Sequence, residues 1–264
     1  MAEFLGDLRA IAGRHLRHLL RLPEKLIGFT VMPVAMVVGL GVLFGGSMRV
    51  PGGGQYGAYV SAGVVTSLAV STVALSALGV VDDLQNGMFD RLRSLPVDRA
   101  AILSGRILVD SLPVAVAMVS VVPAAWIAGW AVGVRPTAAL AAVSLELLLG
   151  LGCSCLGICL GLTFRNAEAV TSVVPVCLLP ATFLSNAFVP PDGLPGWLRR
   201  VVGWNPVTAV NSTVRDLLGT EGTATGTGFP DRHAAPLAVV FCLLVIAVAA
   251  PAAARAYGRA GPMR

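Results

Sequence analysis

Three features of the sequence predict an all-α integral membrane protein. Of its 264 residues 56% are hydrophobic and only 12% charged, with a mean hydropathy of +0.80, whereas soluble domains carry about a quarter charged residues. The apolar residues are gathered into six runs, each able to cross a hydrocarbon layer about 30 Å thick at 1.5 Å per helical residue. The arginines cluster on alternate sides of those runs. Thirty glycines and 17 prolines would suit a disordered chain, but disorder requires low hydrophobicity. A net charge of +5 would elsewhere raise nucleic-acid binding. In a membrane chain it reflects basic residues kept in the cytoplasm, and no nucleic-acid partner is expected.

Residues 3–25 are predicted to form an amphipathic helix. At 100° per residue Phe4, Leu8, Ile11, Leu19 and Leu22 share one face, with Arg14, Arg17, Arg21 and Lys25 opposite. Such a helix lies in the interface, its basic side toward anionic headgroups or a cytosolic partner. The chain is therefore divided into an interfacial helix, 1–25, and a transmembrane domain, 26–264. The first apolar run starts at residue 26 and is too long for the core of a cleaved leader, so it is expected to stay as an anchor.

Six spans are read at 26–48, 58–81, 111–134, 136–164, 169–191 and 234–254. With the N-terminus inside, thirteen of the 19 basic residues fall on the inner side and six on the outer. Both termini are therefore predicted to be cytoplasmic.

The longest inner loop, 82–106, carries Val81, Leu84, Met88, Leu92 and Leu95 at helical spacing, with Asp83, Asp90 and Arg93 directed elsewhere, and Pro96 should end that helix. A short helix with one apolar and one charged face suits the docking of a soluble partner; an ordinary solvated connector is the plainer reading. The longest outer segment, 190–232, places Trp197 and Trp204 around Leu198, Val201 and Val202, as interfacial aromatics are placed. Between Pro190 and Gly219 the pattern suits helices dipping into the outer leaflet, or a loop on its surface. The Thr/Gly stretch beyond reads as a flexible loop.

Two acids lie in or beside spans, where charge is expensive and marks function by default. Asp110 follows Arg106 by four residues, which suits an ion pair. Glu146 stands roughly 15 Å along its helix with no charge within a turn. It could line a polar cavity, be protonated, or hydrogen-bond across helices. Gly41 with Gly45, and Gly157 with Gly161, are small pairs that allow close helix contact.

No phosphate-binding loop can be drawn, since the only lysine is Lys25 in LPEKLIG, and neither H-E-x-x-H nor G-x-S-x-G occurs. The five cysteines, at 153, 155, 159, 177 and 242, lie in apolar stretches without a C-x-x-C pair, and His15, His18 and His233 are scattered, so no metal site is expected.

The stretch DLQNGMFDRLRSLPVDRAAILSGRILVD, Asp83 to Asp110, resembles the signature of ABC-2 type exporter permeases, most closely the daunorubicin-resistance branch. The matching positions are Asp83, Gly87, Asp90, Arg91, Arg93, Ser94, Pro96, Arg99, Gly105 and Arg106. A second similar stretch, Phe183 to Gly219, contains Asn186, Pro190, Trp197, Asn205 and Pro206. The resemblance implies six spans, a coupling helix between spans two and three, and outer re-entrant helices between spans five and six. It implies a homodimer or heterodimer of permeases in the bacterial plasma membrane, paired with separate ABC ATPase subunits. These subunits would hold ATP and Mg; this chain is expected to bind no cofactor and to be no enzyme itself. The implied cargo is an amphiphilic drug, antibiotic or lipid-like product. A polysaccharide or lipo-oligosaccharide export permease would share the fold. A membrane-embedded lipid-modifying enzyme would need clustered acids or histidines, and a proton-coupled carrier would need internal repeats and several intramembrane charges.

Overall fold

The computed structural model describes residues 23–48, 50, 53–88, 99–128, 130, 135–219 and 228–259, together with Gly13. Among them every regular element is helical: α1 (Pro23–Phe44), α2 (Tyr56–Gln85), α3 (Arg99–Asp110), α4 (Leu112–Ile127), α5 (Pro136–Phe164), α6 (Ala167–Phe183), a 3-10 turn (Pro191–Gly193), α7 (Gly196–Gly203), α8 (Pro206–Leu217), α9 (Phe229–Arg232) and α10 (Ala234–Arg259). Five stretches among the described residues are long and apolar enough to cross a membrane: Ile27–Phe44, Tyr56–Gln85, Ile102–Ile127, Pro136–Phe164 and Ala234–Gly258. The remaining expected span corresponds to α6, an apolar helix of 17 residues. The predicted interfacial helix over 3–25 lies almost wholly outside the described residues.

Helices α2 and α5 form the central pair. α10 packs on the other side of α5, α6 leans on α2, α1 lies against α4 and α2, and α8 crosses one end of the bundle over α10, α5 and α2. The central pair meets closely because its contact positions are small. Gly157 and Gly161 of α5 sit against the carbonyl oxygens of Val73 and Ala77, where a methyl group would not fit. This places both glycines in packing within the chain. Gly41 of α1 instead lies against the Trp130 ring.

Two boundaries differ from the sequence reading. The span expected at 111–134 starts at Ile102 and stops at Ile127. A start at 111 leaves Arg106 and Asp110 outside the span, but they pair with each other, which lets charged side chains stand inside the apolar stretch. Pro113 removes a backbone donor just after Ser111, where α3 gives way to α4. The second difference concerns the expected coupling helix. Its first apolar positions, Val81 and Leu84, belong to the last turns of α2 and are buried, Leu84 in a cluster with Ile102, Leu103 and Tyr257. The α2 helix ends at Gln85, and two residues beyond it Gly87 turns the chain with a φ of +64°, a conformation glycine adopts without strain. Most of the intended helix, from Asp90 through Pro96, lies outside the described residues.

At the α5–α6 corner, Arg165 takes a left-handed conformation (φ +53°) as the C-cap, and the Asn166 side chain accepts from the Glu168 N–H at 2.9 Å to open α6. The chain thus reverses within two residues.

Candidate functional site

The foot of α2 and the start of the Ile102–Ile127 helix are joined by charge. Arg106 Nη1 donates to Asp83 Oδ2, and Arg106 Nε lies 3.4 Å from Asp110 Oδ2. Gly79, one turn above Asp83, leaves the space the guanidinium occupies; a methyl group there would collide with it. Gly105 is buried one residue before Arg106. Asp83, Arg106 and Asp110 thus meet at one junction, with Gly87 four residues after Asp83 along the chain. Arg99 opens α3; Asp90, Arg91, Arg93, Ser94 and Pro96 lie outside the described residues.

From that junction a row of polar groups climbs the α2–α5 interface. Ser154 donates to Asp110 Oδ2 at 3.4 Å, and Ser76 donates to Ser154 at 3.0 Å. Thr72 reaches the Gly150 carbonyl at 3.3 Å, and Thr66 donates to Glu146 Oε1. The α5 members, 146, 150 and 154, are four residues apart, so they share one face. Glu146 is fully buried, and its Oε2 has no hydrogen-bond partner among the described residues. Of the three readings left open for this acid, the structure displays the hydrogen bond across helices.

At the opposite end of the bundle the second motif folds into a clamp. Asn205 caps α8 by accepting from the Val207 N–H at 2.9 Å, while its amide donates to the carbonyls of Ala181 and Leu184, each at 2.8 Å. Pro206 fills the first turn of α8, where its missing N–H costs nothing. Asn186 is buried; its amide donates to Ser212 Oγ at 2.8 Å and its N–H to Thr208 Oγ1 at 3.2 Å. Pro190 precedes the 3-10 turn, and Trp197 and Trp204 remain exposed at either end of α7.

The sequence reading missed the residue at the centre of this clamp. Arg215 is fully buried. Its Nε donates to the Tyr59 carbonyl at 3.0 Å and Nη2 to the carbonyls of Asn186 (2.8 Å) and Ala187 (3.0 Å). The guanidinium also lies 3.6 Å from the centre of the Tyr59 ring, a cation–π contact, and the Tyr59 hydroxyl donates to the same Asn186 carbonyl at 2.7 Å. One side chain therefore ties α8, the turn after α6, and the head of α2. Thr66, the partner of Glu146, was likewise missed.

The arrangement brings no nucleophile, base and oxyanion donors together among the described residues. It offers instead a polar seam between two fixed ends, which suits the transmission of movement along helices.

Comparison with known proteins bears on this geometry. The model of a family described as ABC-2 type transporter matches residues 7–218. The chain is also 29% identical over 237 residues to a protein of Streptomyces coeruleorubidus named daunorubicin resistance ABC transporter permease protein DrrB1, a match covering 89% of this chain and 80% of that one.

Proposed function

The chain belongs to the ABC-2 type transporter family, and from that membership we propose that it is the permease subunit of an ATP-driven exporter of amphiphilic drugs, antibiotics or lipid-like products. In this reading α6 is the fifth of six spans, both termini are cytoplasmic, and α7 and α8 are re-entrant on the outer side of a bacterial plasma membrane. Two permease chains, alike or related, face two separate ATPase subunits that hold ATP and Mg. This chain binds no nucleotide.

The observation that carries the proposal is the Asp83–Arg106–Asp110 junction. It fastens both ends of the 82–106 loop to the central helix pair. A displacement of the loop by a closing ATPase would thus be delivered to α2 and to the start of the Ile102–Ile127 helix together. From there the seam of Ser76, Ser154, Thr72 and Thr66 leads toward Glu146. Asp90, Arg91, Arg93 and Arg99 are assigned to the ATPase contact itself, because they stand between the fastened ends.

The proposal is tested by pull-down of the ATPase subunit with transport measured in parallel. Asp90→Arg and Arg93→Glu should weaken assembly or uncouple transport while membrane insertion stays intact. A charged contact broken on one side costs about 2–5 kcal/mol, enough to depopulate a micromolar complex. Arg199→Ala, across the membrane in this topology, should leave ATPase binding unchanged. Normal binding and export by both loop variants would make the loop a passive connector.

A further inference from the structure

Near the clamped end of the bundle, α2, α4 and α8 do not close on one another. They leave an apolar cavity of about 40 Å³, open on one side to the surroundings, lined by Ala58 and Ala62 of α2, Met118 and Val121 of α4, Val214 of α8, and Trp130. The only side-chain hydroxyl on its wall belongs to Ser61 and already donates to the Ala58 carbonyl at 2.7 Å. A water held there would find no polar side chain in need of a partner, and apolar cavities of this kind stay dry.

The mouth lies on the apolar flank of α4. Val122 lines the cavity and is itself 41% exposed; on the same helix Val119, Trp126 and Ile127 are 75%, 71% and 80% exposed. In a membrane-spanning bundle these side chains face hydrocarbon, so the medium at the mouth is the lipid tail region. Trp130 is fixed as a wall by two glycines, Gly41 of α1 and Gly57 of α2, both packed against its ring where neither could carry a methyl group. An empty space beside lipid forfeits dispersion contacts on every wall atom, and a flexible hydrocarbon chain restores them.

We propose that this cavity is a binding site for the end of one acyl chain of a bilayer lipid, which enters past Val122 and stops against Trp130. The site is separate from the charged junction and from the Glu146 seam. It depends on the chain's place in a membrane and not on the identity of any cargo.

The test uses the full chain in phosphatidylcholine vesicles without added cargo, the lipid carrying bromine atoms on one acyl chain as a contact quencher. A protein with Trp126, Trp197 and Trp204 replaced by Phe reports from Trp130 alone; a companion keeps Trp126 alone. Brominated lipid should quench Trp130 at least twofold. Filling the cavity by Ala62→Phe, or more gently by Ala125→Leu, should remove most of that quenching and leave the exposed Trp126 quenched as before. Both filled variants are first checked for an unchanged elution profile in size-exclusion chromatography. An unquenched Trp130 beside a quenched Trp126 would overturn the proposal. So would quenching of Trp130 that persists in a folded, filled variant, since lipid would then reach the ring from outside the cavity.

Discussion

Glu146 and Arg215 are both fully buried, but removing them should have opposite effects. The Thr66 hydroxyl that serves Glu146 also lies 3.1 Å from the Ala62 carbonyl, so it keeps an acceptor when the acid is removed. An apolar residue of similar volume would also remove the buried Oε2, which has no partner among the described residues, and would leave no donor orphaned. Glu146→Leu should therefore melt at the same or a higher temperature in detergent. Export should fall, because an acid kept inside a span is kept for function; a stable variant with full export would reduce it to packing. Arg215→Met should instead lower stability by on the order of 3 kcal/mol, since three carbonyl bonds are lost at once. Arg215→Lys should recover only part, having no planar fork to span carbonyls on two segments. Glu146 was legible as a lone acid in an apolar run. Arg215 was not, because its partners at Tyr59 and Asn186 are 156 and 29 residues away, and hydropathy carries no information about such meetings.

Among the helices, the α2–α5 contact and the α2–α3 junction give the sharpest tests. Gly161→Val would drive a branched side chain into the Ala77 backbone, and overpacking of this kind costs about 1–3 kcal/mol. Gly39→Ala, with nothing within 4 Å of the added methyl, should stay within about 0.5 kcal/mol of the parent. Melting curves of the two variants in one detergent make the comparison. At the junction, Asp83→Arg should set two guanidinium groups against each other and uncouple ATP hydrolysis from export, and Arg106→Asp in the same protein should restore much of the coupling. No recovery in the double variant would remove the junction from the coupling path. The long helices were legible because twenty or so apolar residues in sequence have few other uses. Their inner ends were not: charged residues were read as boundaries, whereas Asp83, Arg106 and Asp110 satisfy one another and stand inside the helices α2 and α3.

For the whole molecule, the arginine distribution and the absence of a phosphate loop make two further expectations. Single cysteines at Ser94 and Thr223, in a cysteine-free protein, should react with an impermeant thiol reagent from opposite sides of the membrane. Labelling of both from one side would refute the six-span topology. The purified chain alone should show no ATP hydrolysis and gain it only with a separate nucleotide-binding subunit. The family was legible in the Asp83–Asp110 and Phe183–Gly219 stretches; the cavity beside α4 was not, because a void is made by three helices that hydropathy treats one at a time. Unequal helix lengths have a consequence for the surrounding bilayer. α5, with 29 residues, is about 43 Å long, while α6, with 17, reaches only about 25 Å, less than a hydrocarbon layer of about 30 Å. A short span is matched by local thinning of the bilayer and a long one by tilt. With α6 crossing as the proposed fifth span, the lipid collar would be uneven in height, lowest beside α6, and thick, stiff membranes should resist that dip and slow export in vesicles of increasing acyl-chain length.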